Sequence, residues 1–315
     1  MGATPPRPAD VRIPPEFARN AVRTWGEQGR HFVDALPERV SAVCREWSLH
    51  LDQPYAMRCH WVARVHRPDG SPAVLKLGPL GVPETAAEVT ALRHFAGQGA
   101  VRLLAHDATR GALLLEQARP GTTVASVGLD IVATAAIITV LRTLHRPPTV
   151  DTASLPDLGT RNRRSLLAHL RRHPGDDPVP RRLVTRALGL TRELCADAGQ
   201  PVVLHGDLHH DNVLWDAAGR RTWLAIDPHG VVGDPLAEVG PMLYNPNPAR
   251  RDPELTSLLA PRVEQLADGL GVGMDRVVAW GFVQAVLSQV WTAQQPGTPT
   301  TRALDVALAL EPRLS

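Results

Sequence analysis

The stretch that most limits how this chain can fold is residues 202–230, VVLHGDLHHDNVLWDAAGRRTWLAIDPHG. Val202, Val203 and Leu204 read as a short apolar strand that delivers His205, Gly206 and Asp207 into a loop. Asn212 follows Asp207 by five positions, and residues 213–215 resume an apolar strand. Asp216, Ala217, Ala218 and Gly219 make a turn, after which residues 223–226 return as a hairpin partner that ends at Asp227. Two carboxylates and one carboxamide therefore gather at one end of a hairpin. Such a set suits magnesium, a hard cation that takes oxygen ligands, and leaves one carboxylate free to act as a base. Plainer readings exist for the same residues. Asp207 and Asn212 are also good turn formers, and His205 suits a packing role beneath the loop. A zinc site at His205, His209 and His210 is disfavoured, because adjacent histidines fit one tetrahedral centre poorly and no further His or Cys lies at a closing distance.

A second constraint comes from the basic residues. Of 34, 33 are arginine and one, Lys76, is lysine. Where either charge would serve, this chain uses arginine, so Lys76 is a candidate for work that needs a compact ammonium on a flexible stem.

Along the chain, residues 1–14 read as a proline-rich flexible tail. Helical patterning runs over 15–46, with an interruption expected at Pro37. Strand-like runs at 58–66 and 73–77 flank Pro68-Asp69-Gly70-Ser71-Pro72 and predict a hairpin. A helix over 84–96 ends at Gly97 and Gly99, and further strands are expected at 101–105 and 112–115. From Pro120 onward helices dominate: 129–144, then an arginine-rich segment over 161–192, and a long buried helix over 277–291. The nine arginines of that segment read as a solvated helix face rather than a nucleic-acid patch. The expected class is α+β, with an antiparallel N-terminal lobe (15–117) holding one key helix and a mainly helical C-terminal lobe (118–315) carrying the hairpin.

The chain is 43% apolar and 21% charged, which disfavours disorder. A net charge of +2 lacks the basic excess of a nucleic-acid binder. Cys44, Cys59 and Cys195 form no CxxC pair, a reduced cytosolic pattern. The proline-rich start has no signal-peptide core, and the longest apolar run, 131–141, falls short of the ~20 residues a span needs. The expectation is a cytoplasmic protein without membrane, nucleic-acid or obligate protein partner.

The pattern HGDxxxxN, an apolar strand and IDP together resemble the catalytic loop and metal-binding segment of the aminoglycoside phosphotransferases, which share the protein-kinase architecture. LHGDLHHDN, WLAIDPHG and VLSQVW are similar to the streptomycin 6-phosphotransferase and hydroxyurea phosphotransferase branch, over residues 47–291. The resemblance implies a two-lobed protein-kinase-like fold, ATP (or GTP) and Mg2+ as cofactors, Asp207 as catalytic residue, and Asn212 and Asp227 as metal ligands. It further implies a strand lysine on the nucleotide phosphates, held by a helix glutamate. Lys76 in AVLKL answers to the first. Glu88 shares an inward face with Leu92 and Phe95 and answers to the second, with Glu84 as the alternative. LLLEQA resembles the interlobe hinge, where the backbone of Glu116 and Ala118 would meet adenine. One departure stands out: residues 52–57, between the first strands, contain no glycine, so the kinase glycine-rich lid is absent.

Residues 233–275 hold seven acids, Asp234, Glu238, Asp252, Glu254, Glu264, Asp268 and Asp275, against Arg250, Arg251 and Arg262. That excess is consistent with a cationic small-molecule acceptor. Three functions follow in order of preference. The first is phosphorylation of a hydroxyl on streptomycin or a related cationic antibiotic. The second is a kinase of hydroxyurea or another small metabolite, and the third a nucleotide-binding pseudokinase or partner-binding module.

Overall fold

The structure, a computed structural model, describes residues 6–294 and 300–314. The chain divides into two compact units, Met1–Gly97 with Val101–Ala118, and Gln98–Ala100 with Arg119–Ser315.

In the N-terminal unit the expected tail is ordered in part. Pro8–Asp10 form a 3-10 turn, Val11 is buried, and the Trp61 indole N–H donates to the Arg12 carbonyl at 3.1 Å. Residues 1–5 lie outside the described residues. Helix α1 (Pro15–Glu46) buries Phe17, Phe32, Leu36, Val40 and Val43. Its break falls at Gly26 (φ 59°, ψ −127°) rather than at Pro37. Only glycine reaches that backbone region without strain, and the fold-back brings Gly29 so close to Ala21 that a Cβ there would stand 2.2 Å from the Ala21 carbonyl oxygen. Pro37 loses only its own N–H bond, and the helix continues through it.

The strands that follow, β1 (His50–Pro54), β2 (Trp61–His66) and β3 (Pro72–Leu77), are joined through helix α2 (Pro83–Phe95) to β4 (Leu103–Asp107) and β5 (Ala112–Glu116). They form one antiparallel sheet in the order β1-β2-β3-β5-β4. The β2–β3 turn closes as its residues dictate: the Asp69 carboxylate accepts from the Ser71 N–H at 2.9 Å, and Gly70 takes φ 77°. Trp61, Ala63, Val65, Leu75 and Leu77 point to one face and share a core with Phe32, Leu36 and Val40 of α1. Side chains alternate along a strand, so Lys76 leaves β3 on the other face.

The C-terminal unit begins with β6 (Pro120–Thr123) and α3 (Asp130–Leu144). The arginine-rich segment forms α4 (Leu158–Arg172) and α5 (Arg181–Ala196), and of its nine arginines only Arg161 is not exposed. Strand β7 (Val202–Leu204) pairs antiparallel with β10 (Val231–Gly233), while β8 (Val213–Asp216) lies between β6 and β9 (Thr222–Ala225). The Asp216 carboxylate pins the β8–β9 turn by accepting from the N–H groups of Gly219 (3.2 Å) and Arg220 (2.8 Å). Short helices α6 (Gly240–Tyr244) and α7 (Pro253–Ser257) lead to α8 (Leu259–Leu270), α9 (Met274–Thr292) and α10 (Arg302–Leu310). Helix α9 is buried nearly all round, from Val277 to Val290. Among the described residues no single helix is long and apolar enough to cross a membrane.

Candidate active site

In the N-terminal unit, the Lys76 ammonium donates to both carboxylate oxygens of Glu88, at 2.8 and 2.7 Å. Both side chains are 6% exposed, whereas Glu84 is exposed. Glu88 lies on the α2 face that also buries Val89, Leu92 and Phe95, which is why it, and not the first-turn glutamate, meets the strand. At the end of β5 the Glu116 N–H donates to the Arg102 carbonyl at 2.9 Å. Ala118 is buried, and its N–H has no hydrogen-bond partner among the described residues. The glycine-free segment between β1 and β2 is tied to the same strand end, since Gln117 donates to the Tyr55 hydroxyl at 2.8 Å.

A buried pair loses more when one partner is removed than it contributes whole. Lys76→Ala is therefore expected to destabilise the chain by about 3–5 kcal/mol, because it removes the ammonium that both Glu88 carboxylate oxygens accept from. Lys76→Met with Glu88→Leu is expected to recover the melting temperature but not nucleotide turnover. A double variant that turns over nucleotide like the parent would show the pair to be structural only.

In the C-terminal unit, β7 is fully buried and runs into His205. The His205 Nδ1 accepts from the Asp207 N–H at 3.3 Å, so its proton sits on Nε2, which donates to the Ile226 carbonyl at 2.8 Å. Burial pushes this imidazole below its usual pKa, in keeping with a neutral ring. One side chain thus joins the Asp207 loop to the residue before Asp227. Gly206 adopts φ 84°, and a Cβ there would press on His229 at 3.2 Å and Val231 at 3.4 Å. The loop backbone is held from beneath by Glu238, which accepts the His205 N–H at 2.9 Å and the Gly206 N–H at 2.7 Å.

The Asp207 carboxylate, 38% exposed, faces His209 Nε2 at 3.6 Å and His229 Nε2 at 3.9 Å. Burial alone would raise its pKa. The adjacent imidazoles of His209 and His229 outweigh that, and the carboxyl lies below its ordinary value. Asn212 donates from Nδ2 to the Asp207 carbonyl at 3.0 Å, which leaves its amide oxygen to face elsewhere. Val213 pairs with Ala225, and the Ile226 N–H donates to the Asn212 carbonyl at 2.9 Å, so Asn212 and Asp227 are neighbours by register. Asp227 takes φ 61°, a left-handed conformation that aspartate tolerates better than most residues. A carboxylate and an amide oxygen at one hairpin end are the hard donors a magnesium ion takes, and the residues fit that group. Among the described residues no group of three or more His, Cys, Asp or Glu is placed to hold a metal ion.

Glu238 was legible in the sequence only as one of seven acids. It is 2% exposed, and Asp234 is 4% exposed with bonds to Arg276 (2.6 Å) and Trp280 (3.0 Å). Asp252 caps α7. The acidic excess on the surface is therefore smaller than the sequence count. Burial would raise the Glu238 pKa, but His145, His205 and the Gly206 N–H outweigh it, so the folded value is lowered. A lowered carboxyl contributes stability that is present above the unfolded value, ~4.3, and is lost as pH falls through the folded value. Glu238→Gln is expected to cost about 1–3 kcal/mol at neutral pH. Thermal melts across acid pH should show a flatter loss in the variant; parallel curves would place the acid sensitivity elsewhere.

The antiparallel five-stranded sheet with helix α2, followed by a mainly helical unit that carries the β8–β9 hairpin, is the arrangement of a protein-kinase-like fold. Solved structures agree on the fold. An ethanolamine kinase from Plasmodium vivax matches with a TM-score of 0.62 at 10% identity, covering 96% of this chain and 95% of its own. An aminoglycoside phosphotransferase from Streptomyces rimosus matches with a TM-score of 0.56 at 18% identity, covering 81% and 98%. At such identities the likeness speaks for the fold alone. The chain belongs to the aminoglycoside/hydroxyurea antibiotic resistance kinase family, whose model matches residues 47–296. A streptomycin 6-kinase from Streptomyces glaucescens is 34% identical over 89% of this chain and 91% of its own length. A hydroxyurea phosphotransferase from Kitasatospora aureofaciens is 35% identical over 91% and 82%. The chain is thus a phosphotransferase with an alcohol group as acceptor.

Proposed function

We propose that this chain transfers the γ-phosphoryl group of ATP to a hydroxyl of streptomycin or a related cationic antibiotic. The observation that carries the reading is the loop from His205 to Asn212, anchored on both sides, with a partly exposed carboxylate at Asp207 and the Asn212 amide donating to the Asp207 carbonyl. Asp207 orients the acceptor hydroxyl and takes its proton. Asn212 and Asp227 would hold magnesium, which when bound neutralises phosphate charge. Lys76, steadied by Glu88, binds the nucleotide phosphates, and the Glu116 carbonyl and Ala118 N–H meet the adenine edge. The presence of all five polar side chains together speaks against a pseudokinase or a pure binding module. Phosphoryl transfer rests mainly on positioning and electrostatics, which is what these residues supply.

The streptomycin 6-kinase relatives favour a cationic aminoglycoside acceptor. The hydroxyurea phosphotransferase relative supports a second reading, a small neutral acceptor. ADP release against aminoglycosides, tuberactinomycin peptides, hydroxyurea and common metabolites separates them. Release that depends on streptomycin is the expected result. Release that depends only on hydroxyurea or on a metabolite would replace the acceptor assignment.

A further inference from the structure

Arg161 departs from its eight neighbours in the arginine-rich segment. They are exposed, while it is half-buried, and its Nε is buried without a hydrogen-bond partner among the described residues. Its guanidinium lies over the Trp291 ring, 5.5 Å from the centroid. Trp291 is itself fixed, donating from its indole N–H to the Ser165 hydroxyl at 3.1 Å, and Ser165 donates to the Arg161 carbonyl at 3.2 Å. One guanidinium nitrogen, Nη1, would stand 3.8 Å from a Cβ built on Gly206, the residue before Asp207. The acids whose charge reaches it most are Asp207 and Glu238, yet among the described residues it forms no ion pair with either.

A charge withdrawn from water and left without a carboxylate partner is costly. Fixing it between an aromatic ring and a catalytic loop makes sense when a ligand completes its bonding. Arginine presents a planar fork of donors that matches phosphoryl oxygens. Asp207 is anionic, and the group that must pass beside it is anionic too, so a cation at this place offsets their repulsion.

We propose that Arg161 is a further catalytic residue, whose guanidinium donates to the oxygens of the phosphoryl group in transfer at Asp207. The inference rests on the phosphotransfer reading above. In the step it serves, the bond from the γ-phosphorus to the ADP oxygen breaks, and its electron pair leaves with ADP. The acceptor oxygen bonds to that phosphorus as its proton passes to Asp207. Arg161 changes no bond and stabilises charge.

The test is Arg161→Ala, with Arg161→Lys as the second variant should the first fold poorly. ADP release is measured with the acceptor and, separately, as slow ATP hydrolysis without it. Removing one donor to developing charge lowers rate ~10²–10³-fold, so kcat should fall by that factor in Arg161→Ala, with the KM for acceptor changing little. Acceptor-free hydrolysis should fall alongside, and added methylguanidinium should restore part of both rates. Arg161→Lys, which keeps the charge and loses the fork, should remain well below the parent. A raised acceptor KM with unchanged kcat and unchanged hydrolysis would make Arg161 an acceptor-binding residue and overturn the proposal. So would a lowered melting temperature with normal kcat, which marks a brace for the loop. An intact chain that consumes no ATP under any condition would instead overturn the phosphotransfer reading, and this proposal with it.

Discussion

Asp207→Asn is expected to lower kcat by ~10²–10⁴, the usual span for loss of a general base, with nucleotide affinity little changed. The structure makes this variant a clean one. The loop is tied through the backbone of Asp207, whose N–H donates to His205 and whose carbonyl accepts from Asn212. Among the described residues the carboxylate faces the His209 and His229 rings, at 3.6 and 3.9 Å. Replacing it with an amide of the same shape leaves both ties in place and removes the charge. Its lowered pKa keeps it ionised at neutral pH, as a group that orients a hydroxyl and takes its proton late must be. If Asp207 served only to brace the loop, the variant would melt earlier and keep near-normal kcat. Steady-state kinetics paired with a thermal melt distinguishes the two, and a folded, fully active Asp207→Asn protein would remove the mechanism proposed here.

The second large effect is expected at Asp227. Alanine is a poor probe there, because φ 61° adds strain of about 1–2 kcal/mol to a residue with a plain Cβ. Asp227→Asn keeps a side chain that tolerates the left-handed region and removes the negative charge from one of two hard donors at the hairpin end. Metal-assisted charge stabilisation amounts to several kcal/mol, so turnover at ordinary magnesium should fall by ~10³ or more. Raising the magnesium concentration should recover part of it, while the melting temperature stays near that of the parent. Parent-like activity at ordinary magnesium would place the metal elsewhere.

Sequence by itself determined the features that live on local spacing. The run from Val202 to Gly230 contains its own strand, loop, turn and return strand, so Asn212 and Asp227, at the open end of the hairpin, are neighbours by register. The single lysine among 34 basic residues marked Lys76 without any contact being known. Helical spacing put Glu88 on the apolar face of α2, because i, i+4 and i+7 positions share a side. Only the tertiary structure decided what depends on residues distant in the chain. Glu238 lies 33 positions from His205 and was one of seven acids in its stretch until β7 and the turn before α6 brought its oxygens under the loop backbone. Arg161 was one of nine similar arginines, and nothing in its neighbours separates it from the rest. Its place is set by Trp291 and Gly206, on other elements of the same unit. The break in α1 went to Gly26 and not to Pro37, since a glycine backbone can enter a region closed to other residues while proline gives up a single hydrogen bond. Local patterns specify elements because φ, ψ and side-chain period act over a few residues. Burial of a charge depends on which elements pack around it, and that information is spread over the whole chain.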